Sequence, residues 1–476
     1  MIVLRDYQAD LQQRTGEALR RHNRVLLQCP PGGGKTAIAT SMLSRFGARQ
    51  KRGWFICHRA ELVQQTSLTF SRYGLAHGFI VAGYPLSPSA LVQVCSIDTL
   101  KNRLDRMQPP DFAMIDECHH SGAAGWALVI QWLVDGGCKV VGLSGTPRRH
   151  DGSGLDQHYD ELVLGPAVSW LMAEGHLSQY EIFAPDKPDM GGIRKLMGDY
   201  SKKDAAERMD KPKLTGNIIH HWKEHARGIL TLGYGVHVAH SQHLAEEFRR
   251  AGVNAVHMDG GTNKNDRRDM MKDFGPGGIE LIFNCSLFGE GLDLAALTGR
   301  DIRIGCVIDA APTMSLSWHL QKQMRCMRPG PPAIILDHAG NCSRHGFPDD
   351  DREWSLEGAA KGKSANDNAP PPPINCDGCF RQIRRPAPQD CPHCGKRLAA
   401  EFKPLEVEDA PLKKMTEADK KATRQALKEE ERACKDLGAM IALGVRRGVE
   451  MPVSWGHNKM LQRKVAHQKG TGRKYS

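Results

Sequence analysis

Residues 29–36 read Cys-Pro-Pro-Gly-Gly-Gly-Lys-Thr and lie between the apolar runs Val25-Leu26-Leu27 and Ala37-Ile38-Ala39. Few folds accept such a segment, because it requires a strand, a tight turn and a helix in immediate succession. The turn aims several backbone N–H groups into one hollow, and the helix N-terminus adds positive partial charge. The result is a phosphate cradle. Gly32, Gly33 and Gly34 let the backbone close around phosphate oxygens. Lys35 reads as the cation that reaches the β and γ phosphates, and Thr36 as a hydroxyl ligand to Mg²⁺. A second apolar run, Phe112-Ala113-Met114-Ile115, leads into Asp116-Glu117-Cys118-His119. That places two carboxylates at a strand's C-terminal end, where ligands sit in open α/β sheets. Asp116 is expected to hold the metal, and Glu117 to orient and deprotonate an attacking water. The two motifs together predict binding and hydrolysis of a nucleoside triphosphate.

Short apolar runs alternate with helical stretches over much of the chain, the pattern of parallel sheets flanked by helices. The first series of strands is expected at Val25–Gln28, Gly53–Cys57, Leu91–Ser96, Phe112–Asp116 and Val140–Ser144. A second series is expected at Gly235–Ala239, Asn254–Met258, Leu281–Cys285, Arg303–Ile308 and Ala333–Asp337. This divides the chain into a nucleotide-binding α/β domain over 1–183, a connector over 184–211 and a second α/β domain over 212–345. A Pro/Gly-rich linker follows over 346–373. It includes four consecutive prolines, Pro370–Pro373, and cannot bury a core.

Beyond the linker, Cys376-x2-Cys379 and Cys391-x2-Cys394 have the spacing of a four-thiolate zinc site, a zinc ribbon over 374–397. His393 sits inside the second knuckle. The other ten of the 14 cysteines are scattered singly, which fits a reducing cytoplasm rather than a disulfide framework. Nothing near Met1 resembles a signal peptide, and no apolar run is long enough for a membrane span. The formal net charge is +11, which favours a polyanion as partner. Residues 398–476 read as a basic tail, with a helix expected from Met415 to about Leu443. The Ala, Lys, Glu, Arg and Leu content of that stretch carries the expectation.

Further motifs follow in order. Ser144-Gly145-Thr146-Pro147 ends a strand of the first domain. Gly289-Glu290-Gly291-Leu292-Asp293 follows a strand of the second, and Gln321-x3-Arg325-x2-Arg328 comes after it. On a helix Arg325 and Arg328 share a face and can reach a γ-phosphate across a cleft. The whole order resembles the superfamily 2 helicases of the DEAD/DEAH-box type over roughly residues 1–345. Leu4–Gln8 is similar to the adenine-reading motif, Cys29–Thr36 to motif I, Cys57–Leu62 to motif Ia and Ser96–Leu100 to motif Ib. Asp116–His119 resembles motif II, Ser144–Thr146 motif III and His240-Ser241 motif IV. Gly289–Asp293 resembles motif V and Gln321–Arg328 motif VI. Within the superfamily the likeness is greatest to phage and prophage helicases and to the RadD-like DNA-repair branch. Gly198-Asp199-Tyr200, Asp337-His338-Ala339-Gly340-Asn341 and the cysteine-rich module add to it.

The resemblance implies two RecA-like domains with ATP and Mg²⁺ in the cleft between them. It implies Gln8 at the adenine, Gly291 and Asp293 at the nucleotide, and Arg325 and Arg328 completing the site. It also implies nucleic acid across both domains, near Arg59 and motif Ib, with DNA favoured over RNA. Cys29, Gly145 and Met324 depart from the usual residues at their positions. A methionine at 324 displaces Arg325 if close packing there requires glycine. The zinc ribbon, through Arg381, Arg384, Arg385, Lys396 and Arg397, is expected to orient nucleic acid or dock a protein partner. Two alternatives stay open: a duplex translocase or annealing motor that never separates strands, and a degenerate, non-enzymatic zinc-ribbon nucleic-acid-binding protein.

Overall fold

The computed structural model of the chain describes residues 2–58, 60–149, 152–184, 190–196, 199–288, 300, 302–358, 371–398, 425, 427–447, 452–457 and 459–460. The chain forms two compact units, Met1–Ala399 and Ala400–Ser476.

The first unit holds two parallel sheets. Strands β1 (Arg24–Gln28), β2 (Gly53–Cys57), β3 (Gly78–Ile80), β4 (Val92–Ser96), β5 (Phe112–Ile115), β6 (Lys139–Ser144) and β7 (Glu161–Leu164) make one sheet in the order β3-β4-β2-β5-β6-β1-β7. Both faces of this sheet are covered, which is why its strands read as continuous apolar runs. Along β1, Val25 and Leu27 enter a cluster with Leu11, Ile38 and Leu43. Leu26 enters a different cluster with Trp126, Val129 and Leu133 on the other face. Each such side chain contributes about 1.5–3 kcal/mol by leaving water. Leu11 lies on α1 (Asp6–Arg21), and Ile38 and Leu43 lie on α2 (Lys35–Gly47).

The second sheet contains β8 (Tyr180–Phe183), β11 (Thr231–Tyr234), β12 (Ala255–His257), β13 (Leu281–Asn284), β14 (Cys306–Asp309) and β15 (Ala333–Asp337), in the order β12-β13-β11-β14-β15-β8. A small antiparallel hairpin, β9 (Lys195–Leu196) with β10 (Asp199–Tyr200), precedes it in sequence after β8. Two parallel α/β sheets in tandem are the arrangement expected of RecA-like domains.

Several local expectations are corrected. The strand expected at Gly235–Ala239 lies earlier, at Thr231–Tyr234. Residues after it turn into a helix, Val238–Arg250, capped by the His237 side chain accepting from the His240 N–H. A Cβ on Gly235 would stand 2.9 Å from the Ser241 nitrogen, so this strand-to-helix turn needs a glycine. The apolar Val236 and Val238 imitate a strand only because they flank that turn. β8 falls inside the span 1–183 expected for the first domain yet pairs with β15 of the second sheet. In the expected connector, Ala205, Ala206 and Met209 sit in the core of the second sheet. Part of the expected linker is also packed: the Leu356 carbonyl accepts from the Leu155 and Asp156 N–H groups at 2.6 and 3.0 Å. Phe347 is buried in the main core.

The cysteine-rich module, with hairpin β16 (Ile374–Asn375) and β17 (Gln382–Ile383), docks on β8, the edge of the second sheet. The Ala184 N–H donates to the Phe380 carbonyl at 3.0 Å, and Arg381 pairs with Glu181 at 2.9 Å. Arg384 pairs with Asp349 and Asp350 and lies 4.4 Å over the Phe347 ring. Covering an edge strand in this way removes a row of open backbone groups.

In the second unit, the helix expected as far as Leu443 is interrupted. Asp436 caps a separate helix, Leu437–Arg446, by accepting from the Ala439 N–H at 2.8 Å. Arg447 and Lys459, two of the tail's basic residues, pair with Glu430 and Glu431. Arg463, Lys464, Lys469, Arg473 and Lys474 lie outside the described residues. Among the described residues no helix is long and apolar enough to cross a membrane.

Candidate nucleotide site

The sheet order brings three motifs to one edge. β5, β6 and β1 are adjacent, and each ends in one of the segments 116–119, 144–147 and 29–36. The Cys29 N–H donates to the Ser144 carbonyl at 2.9 Å, which ties the start of the phosphate loop to the end of β6. Within the loop, the Gly33 N–H donates to the Pro30 carbonyl at 2.9 Å. Gly32 and Gly34 have φ of +80° and +87°, the left-handed region that favours glycine. Gly34 then caps α2, so Lys35 and Thr36 open the helix as the phosphate cradle requires.

Cys29, which departs from the usual glycine or alanine, is fully buried beneath the loop. A Cβ on Gly33 would come within 2.6 Å of its sulfur, so the glycine makes room for the thiol. Burial pushes the Cys29 thiol up to about 11 against the pull of Lys35, leaving it protonated. Gly145 fits a similar restriction, because a Cβ there would lie 2.9 Å from Pro31 and 3.5 Å from the Lys35 nitrogen.

Gln8 is tied to the phosphate loop. Its Nε2 donates to the Gly33 carbonyl at 3.0 Å, and its Oε1 accepts from the Arg5 N–H at 3.0 Å. Tyr7 Oη donates to the same Gly33 carbonyl at 2.9 Å. The segment expected to read adenine therefore also braces the loop, a contact that motif spacing alone does not reveal.

The charges converge. Lys35 Nζ lies 3.7 Å from Glu117 Oε1, and both side chains are largely buried. Burial works against the Lys35 ammonium, but Glu117 and Asp116 outweigh it and raise its pKa. Arg325, on the turn between β14 and β15, works on Lys35 in the opposite sense. Burial and the neighbouring Glu117 carboxylate lift Asp116 to about 6. Glu117 adopts φ +46°. For a residue with a Cβ this costs about 1–3 kcal/mol and is the kind of strain that gathers at functional sites. His119 Nδ1 stands 3.4 Å from Glu117 Oε2 and 3.5 Å from Ser144 Oγ, linking the acidic segment to the end of β6. Thr146 Oγ1 donates to Ser317 Oγ at 2.7 Å in a buried contact, which carries that link into the second sheet's side of the molecule. Ser317 had no motif to mark it.

Arg325 and Arg328 do not share a helix. The helix Leu316–Gln323 stops short of them, and the chain tightens into i→i−3 bonds from the Arg325, Cys326 and Met327 N–H groups. Gly330, Pro331 and Pro332 follow and cannot extend a helix. Met324, in place of the usual glycine, is 3% exposed within the main core, and both arginines stay half-buried. Gly291 and Asp293, like Arg59, lie outside the described residues.

The four cysteines of the small module form one cluster, with all sulfurs within 4.8 Å of one another. Cys376 and Cys394 are 3.5 Å apart, and Cys379 and Cys391 are 3.7 Å apart. Tetrahedral zinc with four thiolates needs sulfurs about 3.8 Å apart, so the donor set fits. Burial raises the Cys391 thiol, but N–H groups of His393 and Cys394 overcome it and bring it down to about 7. His393 turns instead to Arg381, at 2.5 Å. Arg381 and Arg384 are engaged within the chain, with Glu181 and with Asp349 and Asp350. Metal analysis is expected to find about one zinc per chain. Retention of that zinc after Cys376→Ala and Cys379→Ala together would contradict the assignment.

Comparison with known proteins accords with this geometry. A family model for the res subunit of type III restriction enzymes matches residues 1–149, and one for the helicase conserved C-terminal domain matches residues 210–330. A 51.5 kDa protein of a Lactococcus phage (isolate 7-9) is 32% identical over 342 residues, covering 71% of this chain and 71% of that protein. The chain belongs to the superfamily 2 helicases. It is an ATP-hydrolysing helicase or translocase of that superfamily, acting on nucleic acid. The IRC3 protein of Saccharomyces cerevisiae is 25% identical over 68% of this helicase, which spans only 49% of IRC3. The ATP-dependent Type ISP restriction-modification enzyme LlaBIII, solved bound to DNA, shares the fold with a TM-score of 0.52. The identity there is 16%, over 71% of this chain and 28% of LlaBIII.

Proposed function

We propose that the helicase is a DNA-stimulated ATPase motor of the phage and RadD-like type, whose two sheets close on ATP and reopen after hydrolysis. The observation that carries this reading is the pairing of Lys35 with Glu117 beside Asp116, at an edge joined to the helix Leu316–Gln323 by the Thr146–Ser317 contact, with the charge of Arg325, from the segment between β14 and β15, acting on Lys35. In this reading Lys35 binds the β and γ phosphates, and Gly32, Gly33 and Gly34 supply backbone donors. Gln8 contacts the base while bracing the loop. Glu117 orients the attacking water and takes its proton, with His119 beside it. Arg325 and Arg328 meet the charge that grows on the γ-phosphoryl oxygens. Gly291 and Asp293 are assigned to the nucleotide by motif alone. Closing the cleft brings the arginines in, and nucleic acid across both domains is moved by the alternation.

The residues present suit Mg²⁺. Two carboxylates, Asp116 and Glu117, crowd one strand end, and burial together with the neighbouring Glu117 raises Asp116. Asp116 and the Thr36 hydroxyl are hard oxygen donors of the kind Mg²⁺ takes. Held by Asp116 and Thr36, such a metal would supply positive charge against the charge that develops on the phosphoryl group.

The likeness to a restriction-modification enzyme solved bound to DNA favours DNA over RNA. The match to a restriction-enzyme motor family favours one second reading, translocation on duplex without strand separation. A strand-displacement assay beside a triplex-displacement assay distinguishes the two. Under either, ATPase activity is expected to rise on adding DNA. Affinity is expected to fall steeply with salt, because phosphate contacts dominate such binding. Activity indifferent to both DNA and RNA would contradict the proposal.

A further inference from the structure

β14 and β15 end side by side at Asp309 and Asp337, which are register partners. Above them runs the helix Leu316–Gln323, whose last turn contains Lys322. The Lys322 side chain is fully buried, as is that of Asp309. Its ammonium donates to Asp309 Oδ1 at 2.5 Å and to the Ala311 carbonyl at 2.7 Å, and lies 5.9 Å from the centre of the Tyr234 ring. The other Asp309 oxygen accepts from Asn341 Nδ2 at 2.9 Å. Asn341 Oδ1 accepts from the Thr313 N–H at 3.0 Å, and Asp337 accepts from the Asn341 and Cys342 N–H groups. Asp199 of β10 holds the Thr313 hydroxyl at 2.6 Å and the Met314 N–H at 2.7 Å, so the hairpin joins the same network. The segments around Asp199 and Asp337–Asn341 thus meet under one helix.

A buried ion pair is not needed to hold that helix down, since apolar residues of the same volume commonly do so equally well. What the pair adds is register. Lys322 meets Asp309 and Ala311 together in one placement, and the Lys322 carbonyl is the acceptor for the Arg325 N–H at 3.3 Å. The anchored residue is therefore bonded directly to the turn that carries Arg325. We propose that Lys322, fixed by Asp309 and Asn341, is a positioning residue that sets the place of Arg325 at the γ-phosphate. The proposal rests on the reading of Arg325 given above.

The test compares Lys322→Met, the double variant Lys322→Met/Asp309→Asn, Arg325→Ala, and the triple variant combining them, all in the full chain. Lys322→Met alone strands a buried carboxylate and is expected to lower Tm as well as kcat. The double variant removes that charge, so Tm is expected to recover. Its kcat should remain down by an amount on the order of 10²-fold, with KM for ATP little changed. Adding the pair of substitutions to Arg325→Ala should cost no further kcat. Recovery of kcat together with Tm would show a purely structural role and overturn the proposal, as would a further loss in the Arg325→Ala background equal to that in the wild type. Wild-type kcat in Arg325→Ala alone would instead remove the reading of Arg325, and the proposal with it.

Discussion

Lys35→Ala is expected to abolish ATP hydrolysis, lowering turnover by at least on the order of 10²–10³-fold, while the chain stays folded. Lys35 is the cation at the base of the phosphate loop, and it holds Glu117 at 3.7 Å. In the proposed reading its removal takes away the charge that meets the β and γ phosphates. It also leaves Asp116 and Glu117 facing each other, which disfavours metal-free ionisation of both. The remaining contact of Glu117 with His119, at 3.4 Å, keeps the disturbance local. Phosphate release measured beside a thermal melt checks this, and undiminished turnover in a folded variant would contradict the assignment of Lys35.

Glu117→Gln is expected to separate binding from hydrolysis. A general base contributes about 10²–10⁴-fold, and glutamine keeps the shape while losing the proton acceptor. The variant should hold ATP, because the phosphate loop is untouched, and accumulate in the ATP-bound form. Filter binding of labelled ATP together with single-turnover hydrolysis reads both quantities. Hydrolysis at the wild-type rate would remove Glu117 from the role of base.

The phosphate loop and the acidic pair were legible in the sequence because their geometry is local. A strand, a turn requiring positive φ at Gly32 and Gly34, and a helix start are all encoded within a dozen residues. Most strands of both sheets were legible for a similar reason, since two-sided burial turns each into an apolar run. What could not be read depends on partners far along the chain. β8 joins the second sheet through β15, about 150 residues later in sequence. The pairing of Arg381 with Glu181 and of Arg384 with Asp349 and Asp350 joins residues that nothing local in the sequence links. Lys322 looks like a surface lysine inside a polar motif, because nothing near it in sequence announces that Asp309 will be buried beside it. The end of the helix at Gln323 has a local cause, Gly330-Pro331-Pro332 nearby, but the spacing of Arg325 and Arg328 imitates a continued helix. Tyr7 and Gln8 were marked by resemblance, whereas their hold on the Gly33 carbonyl appears only in three dimensions.

The central claim is a motor whose ATP site is completed from two sheets and whose turnover answers to nucleic acid. Steady-state ATP hydrolysis by the wild type and by Arg325→Ala, each with and without single-stranded DNA, tests it most directly. DNA is expected to raise the wild-type rate, and Arg325→Ala is expected to lack the stimulated rate although it still binds ATP. A wild-type rate unmoved by DNA or RNA, or full stimulated turnover in Arg325→Ala, would contradict it.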